Sequence, residues 1–478
     1  MGWIILLAAA AALLAVLLVR TAAFRPAQTE KPAADAVTAD GQRAAESLAA
    51  MVRCRTVSRH DHVAEDPAEF QKFRDLLRER YQAIHKSCTL DRVGRTGLLY
   101  RWPGKSAAAP AVFMAHYDVV PADPETWSKP PFDGIFENGV LWGRGTLDTK
   151  GTLVGVVEAA ETLIGQGFVP ENDIYLAFSG EEEIAGDSAA DIVSELERRG
   201  VSPVLVLDEG GAVVTGVFPG VAAPCALIGT GEKGQTALYM EMSSNGGHAS
   251  APPPHTIAGL LAAAVTKVEA HPFPFNLTPP AAEMFDTLGR HSTFAFRLIF
   301  ANLWLFRGVL DTLCRKSGGE LNALVRTTVA VTEMSGSSAN NVLPPRASVG
   351  LNVRLMGGDS SDAAAERLKR IVGNPDIGFR KGVTSEASAF SETGRAPGWL
   401  KLKDAVSRTW PEAIVSPYLM IAGSDSRHYC RISPNVYRFS AMALSKEERG
   451  MIHGNDERIP VEKIETCVRF YIRLMKSC

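Results

Sequence analysis

Five short segments of this 478-residue sequence carry histidines and carboxylates that could work together. Met114-Ala-His116-Tyr-Asp118-Val-Val-Pro121 closes an apolar run. Residues i and i+2 share a face in extended chain, so His116 and Asp118 project together and Asp118 can orient the imidazole. Trp142-Gly-Arg-Gly145-Thr-Leu-Asp148-Thr-Lys-Gly151 sets one acid among three glycines, the mark of a tight turn into a helix. Ser179-Gly-Glu181-Glu182-Glu183 and Leu207-Asp208-Glu209-Gly-Gly211 each follow a buried-looking strand, where open α/β sheets place their active sites. Ile452-His453-Gly-Asn455-Asp-Glu457 lies near the C-terminus. Taken singly, each has an ordinary explanation: a structural His, a helix-capping Asp, a solvated acidic loop. Together they fit one chemistry. Two zinc-like ions take imidazole nitrogen and carboxylate oxygen, about four ligands each, with a position left open for water. A close metal pair needs a bridging carboxylate. A further carboxylate, outside the ligand set, must take a proton from the attacking water.

The intervening chain reads as the scaffold for such residues. Helical apolar spacing covers Gly41–Arg53, Ala68–His85 and Gly151–Ile164, and short apolar runs at Ala111–Ala115, Asp173–Phe178 and Val204–Leu207 read as buried strands. This alternation predicts an α/β domain with a mostly parallel central sheet and helices on both faces. Near residue 230 the texture changes. Thr236–Ser243, Leu324–Thr332 and Ala347–Leu355 read as strands and Ile257–Ala270 as a helix, an α+β insert; the α/β texture returns after about residue 385. The expected organisation is 1–24 a membrane anchor or signal, 25–40 a linker, 40–230 the first catalytic part, 231–385 an inserted lid or dimerisation domain, and 386–478 the second catalytic part.

Composition narrows the function classes. Fifty basic and 53 acidic residues leave a net charge of −3, without the basic footprint of a nucleic-acid binder. Seven cysteines, an odd number with no Cys-x-x-Cys pair, exclude a disulfide framework and a zinc ribbon. Gly-x-Ser-x-Gly, His-Glu-x-x-His and phosphate-loop motifs are absent. Trp3–Val19 is 17 residues without a charge, about 25 Å of helix at ~1.5 Å per residue. It reads as an anchor or a cleaved signal, with the catalytic domain extracytoplasmic. Arg20 and Arg25 on its far side argue the other way by the positive-inside rule.

The motifs resemble those of the M20 family of co-catalytic zinc peptidases and amidohydrolases, from about residue 40 to the end. Gly231-Glu-Lys-Gly234, Gly246-Gly-His248-Ala-Ser-Ala-Pro-Pro253, Asn341-Val-Leu-Pro344 and Gly423-Ser-Asp425-Ser-Arg427-His428-Tyr429 follow in order. The long segment from Pro253 to Asn341 and the apolar N-terminus resemble the subgroup of vacuolar carboxypeptidase S and the secreted N-fatty-acyl-amino-acid hydrolases. The resemblance implies two zinc ions per chain: His116, Asp148 and Asp208 on one, the bridging Asp148 with Glu183 and His453 on the other. It implies Glu182 as general base, Asp118 as a catalytic partner of His116, and His248 on the scissile carbonyl oxygen, in dimeric relatives from the neighbouring subunit. Asn341, Arg354 and Arg427 would bind substrate. The sequence departs from the commonest pattern at Ala249, which is not a ligand position. The expected reaction is hydrolysis of an amide beside a free carboxylate, in a peptide or an N-acyl amino acid. A dipeptidase or aminopeptidase of the same fold, or an inactive binding protein, are the alternatives. Phe294–Leu310 is expected to be one helix, either buried or a greasy surface for acyl chains or membrane.

Overall fold

The computed structural model describes residues 1–27 and 35–478. Part of the expected 25–40 linker, residues 28–34, lies outside them. The central sheet has eight strands: β1 (Thr89–Val93), β2 (Gly97–Trp102), β3 (Ser106–His116), β4 (Asn172–Ser179), β5 (Leu205–Val214), β6 (Cys225–Glu232), β11 (Ile414–Met420) and β12 (Val436–Ala443). Strands β7 to β10 belong to a second sheet. The order across the central sheet is β1-β2-β4-β3-β5-β12-β6-β11. The neighbours β4, β3, β5 and β12 are mutually parallel, and antiparallel pairing is found toward the edges. Both faces are covered, as a parallel sheet requires. On one face, Leu153, Val156 and Leu163 of α3 (Lys150–Gly165) join Ile464, Val468 and Tyr471 of α10 (Val461–Lys476) in the main core, with α2 (Gly41–Val52) behind them. On the other, Ile192, Val193 and Leu196 of α4 (Ser188–Arg198) pack on Val112, Met114 and Val206. The alternation of Ala111, Phe113 and Ala115 to one face and Val112 and Met114 to the other is the two-residue period of a strand buried on both sides.

The second sheet is antiparallel: β7 (Gly234–Ser243), β8 (Thr328–Ser335), β9 (Arg346–Leu355) and β10 (Gly378–Ser385), in the order β8-β9-β7-β10. Leu238, Met240, Val349 and Leu351 form its own core with α5 (Ile257–Ala270) and α9 (Ser361–Val372). Between α5 and β8, the helices α6 (Pro279–His291), α7 (Phe294–Ala301) and α8 (Leu303–Ser317) take a different side. Met284, Phe285, Leu288, Phe300 and Leu310 join the core of the central sheet, not that of the second sheet. The segment expected to be one helix is therefore two, broken at Asn302, and Phe300 is 5% exposed inside an aromatic cluster with Phe218 and Phe285. The N-terminal helix α1 (Gly2–Ala23) buries only Leu17 and Thr21.

Candidate metal centre

The candidate residues collect at the ends of β3 and β4 and at an irregular point within β5. His116, the last residue of β3, is 2% exposed. Its Nδ1 lies 3.0 Å from the Asp118 carbonyl oxygen. Nδ1–H therefore donates to the carbonyl oxygen, and Nε2 is the nitrogen that could serve a metal ion. Nε2 is 3.0 Å from Asp148 Oδ1 and 3.3 Å from Glu209 Oε1. Asp118 has no solvent exposure and acts as a hub. Its carboxylate accepts from Ser58 Oγ at 2.7 Å and from the main-chain N–H groups of Glu182 and Glu183, each at 3.2 Å. One acid thus ties the His116 strand end to the turn that carries the two glutamates.

A second buried hub, Glu457, shapes the turn around Asp148. Its carboxylate accepts from Gly145 N at 2.9 Å, Leu147 N at 2.6 Å and Arg144 Nη1 at 2.8 Å. Gly145, at φ +88, takes a backbone conformation that costs glycine nothing. Held this way, Asp148 presents both oxygens to different imidazoles. Oδ1 meets His116, and Oδ2 lies 3.0 Å from Nε2 of His453. His453 Nε2 is also 3.0 Å from Glu183 Oε2. His116, Asp148, Glu183 and His453, expected to act together, are therefore brought together.

Asp208 and Glu209 divide. One oxygen of Asp208 accepts from Ser426 N at 3.0 Å, and the carboxylate that reaches His116 is Glu209. Sequence reasoning missed Glu209. Its cause is a bulge in β5: Arg438 of β12 pairs with Asp208 and Phe439 with Gly211, so Glu209 and Gly210 are extra residues that break the strand's alternation. Glu182 stands with His116 and Glu209, one ligand-type atom of each within 4.8 Å of the others. Glu457 was also missed, although the His453 motif contains it.

The electrostatics of the cluster call for positive charge. Burial, reinforced by Asp425, Glu209 and Glu183, pushes the Glu182 carboxyl well above its usual range. Burial and Asp148 push Glu209 up to about 8, and burial with Asp208 nearby pushes Asp425 up to about 7. Burial opposes protonation of His116, but Glu209, Asp118 and Asp148 outweigh it and raise its pKa. Hydrogen bonds to Asp148 and Glu183 push His453 up to about 10. Glu183 Oε1 and Asp425 Oδ1 are buried without a hydrogen-bond partner. Crowded carboxylates, two imidazoles and orphaned oxygens form a donor set suited to divalent zinc-like ions.

The remaining expected residues lie apart. His248 and Asn341 sit together beside the second sheet: Gly247–His248 pairs with Val342–Leu343, and Ala249 N donates to Asn341 O at 3.0 Å. His248 is exposed, and among the described residues no hydrogen bond or ion pair joins it to the carboxylate cluster. Arg354, on β9, donates through Nε to Asn352 at 3.2 Å. Arg427 is nearer: it donates to Ser424 O at 2.7 Å, and its charge acts on Asp425.

Residues 112–477 match the model of peptidase family M20/M25/M40. Probable carboxypeptidase S-like 2 of Dictyostelium discoideum is 32% identical, over 91% of this chain and 84% of that one. The N-fatty-acyl-amino acid synthase/hydrolase of Xenopus tropicalis is 32% identical, over 97% and 92%. Human carnosine dipeptidase 1 shares the fold at a TM-score of 0.64 and 14% identity, covering 91% of this chain and 96% of that one. An M20 metallo-carboxypeptidase of Sulfolobus solfataricus does so at 0.64 and 17%, covering 91% and 98%. The chain belongs to peptidase family M20/M25/M40 and is a metal-dependent hydrolase.

Proposed function

We propose that the enzyme cleaves an amide bond next to a free carboxylate, in an N-acyl amino acid or at a peptide C-terminus, with two zinc ions per chain. The observation that carries this reading is Asp148, whose two oxygens each face a different imidazole at 3.0 Å. A carboxylate so placed would bridge two ions. His116 and Asp208 would complete one position, with Glu209 beside them, and Glu183 and His453 would complete the other. Bound there, the ions supply Lewis-acid polarisation of the carbonyl and acidify water.

The chain's own groups do the rest. Glu182 accepts the proton of the attacking water and returns it to the leaving amine. Asp118 fixes the His116 ring and, through two main-chain N–H groups, the positions of Glu182 and Glu183. His248 donates to the oxygen that becomes negative in the transition state. Arg427, with Asn341 and Arg354, reads the substrate carboxylate. His248, Asn341 and Arg354 belong to a lid that closes on the substrate or meets a second copy in a homodimer. Helix α1 anchors the enzyme in a membrane, with the catalytic domain extracytoplasmic.

The names of the relatives support both substrate classes. A mixed panel of N-acyl amino acids, C-terminally free dipeptides and amino-blocked dipeptides, scored for released amino acid, tests the proposal. Release from N-acyl or amino-blocked substrates supports it. Cleavage confined to substrates with a free amine makes the enzyme a dipeptidase or aminopeptidase. No cleavage of any member with both metal sites filled overturns the proposed substrate class.

A further inference from the structure

Helices α7 and α8 display large apolar side chains to the outside. Phe294, Phe296, Trp304, Leu305, Val309 and Leu313 are all exposed, Trp304 at 58%. Along α8, Leu305, Val309 and Leu313 recur every four residues and form one stripe. Leu310 and Cys314 on the opposite side are buried in the main core. The helix is therefore apolar on two faces, and the domain covers only one. A patch of this extent on a soluble domain marks a contact surface.

The occupant is indicated by what stands beside the patch. Helix α1, uncharged except for Arg20, docks beside it by its C-terminal end alone. Asn302, fully buried at the α7–α8 break, donates Nδ2 to Leu17 O and Thr21 Oγ1, each at 3.3 Å. Arg20 donates to Ala301 O at 3.1 Å. The Arg290 guanidinium lies over the Phe24 ring, 4.5 Å from its centroid. Upstream of Leu17, α1 buries nothing. Its uncharged run from Gly2 to Val19 covers about 27 Å, less than the ~30 Å of a bilayer's hydrocarbon. A span that short leaves no slack between its end and the membrane. The contacts at Leu17, Arg20 and Thr21 then fix the α7–α8 junction at the bilayer boundary. The patch also has the composition of that boundary. Residues 294–317 contain Arg297, Arg307, Arg315 and Lys316 against one acid, Asp311, while the whole chain carries −3. Trp and basic side chains among apolar ones suit the headgroup region of a bilayer with anionic lipid.

We propose that the exposed face of α7 and α8 is a membrane seat, lying in the interface of the same bilayer that α1 enters. This rests on α1 spanning a membrane, and the test separates the two. The full-length protein is reconstituted in phosphatidylcholine–phosphatidylglycerol vesicles, with and without brominated lipid. Tryptophan emission is compared among the wild type, Trp3→Phe and Trp304→Phe, with acrylamide as the aqueous quencher. The expected result is a component of the emission, absent from Trp304→Phe, that is lost on bromination and protected from acrylamide. Val309→Trp in the Trp304→Phe background restores it from the Leu305–Val309–Leu313 stripe. Quenching of Trp304 by acrylamide and not by brominated lipid, with Trp3 quenched by the lipid, overturns the seat and keeps the anchor. Protection of Trp304 from both quenchers means a second copy covers the face, and overturns it too. If Trp3 is untouched by brominated lipid, the anchor itself fails and the seat with it.

Discussion

His116, Asp148, Glu183 and His453 come from four separate segments of the chain, yet they meet side chain to side chain at 3.0 Å. His248 and Asn341 are also distant in sequence, but they meet through the backbone of two short strands at the surface. The first region is fixed from behind. Asp118 and Glu457, both without solvent exposure, pin the loops through main-chain N–H groups. Among the described residues the second is tied by local bonds at Ser244 and by no buried carboxylate, and it stands beside a sheet with its own core. Ligand positions must be accurate before an ion arrives, because a misplaced carboxylate leaves buried charge unpaired. A group that serves only the developing oxyanion can arrive with the substrate. On the proposed function, the cluster would serve metal binding and the second sheet would bring His248 to the substrate.

The largest effect should come from breaking the cluster at its shared member. Asp148→Ala should release both metal ions and lower kcat/KM by more than about 10⁴-fold. Elemental analysis of the purified variant checks the first part and amino-acid release the second. Retention of both ions would show that Asp148 does not bridge. Glu182→Gln comes next. It should keep both ions and the fold, while kcat falls about 10²–10⁴-fold through loss of the proton acceptor. If instead Glu183→Gln keeps both ions and loses activity, the roles of the two glutamates are exchanged.

The other region gives a smaller and cleaner loss. His248→Ala should lower kcat by about 10²-fold, the usual size for one oxyanion donor, with metal content and Tm unchanged. His248 is exposed and packs against nothing in the cluster, so a structural collapse is not expected. A variant that loses metal would mean that the two regions are coupled in the resting enzyme.

The contrast also explains which parts were legible in the sequence. Strands buried on both faces read as unbroken apolar runs, so His116 closing β3, Glu182 after β4 and Asp208 following the apolar start of β5 are legible. Helix α5 runs Ile257–Ala270, as its spacing predicts. What could not be read depends on tertiary contact. The bulge that swings Glu209 toward His116 is a property of β5 and β12 together. Glu457 looks like one more surface acid until the turn before α3 closes over it. Asn302 looks like a polar interruption of one helix, whereas it ends α7 and bonds α1. Leu324, expected to start a strand, is instead core, and β8 begins only at Thr328. Glu182 and Glu183 could be told apart only by resemblance; in the structure Glu183 has the His453 contact and Glu182 does not.

The smallest expected effect lies at the joint between the two regions. Lys233 links β6 of the central sheet to β7 of the second, is 2% exposed, and donates to the carbonyls of Ala323 and Arg326 at 3.2 and 2.9 Å. Burial, with Arg354 and Arg326 nearby, pushes its ammonium down to about 7. In the unfolded chain a lysine titrates near ~10.4. Between those values the unfolded state binds the proton and the folded state does not. Stability therefore rises with pH across that window, by up to about 1.4 kcal/mol per unit. Below pH 7 both states are protonated and the dependence ends. Lys233→Met should remove this slope from urea-melt stabilities measured between pH 7 and 9, leaving the slopes of all other groups in place. Parallel pH curves for the two proteins would show that Lys233 keeps its proton when folded. In that case the joint is held by an ammonium on two carbonyls, and the second sheet is tied to the first more firmly than His248's isolation suggests.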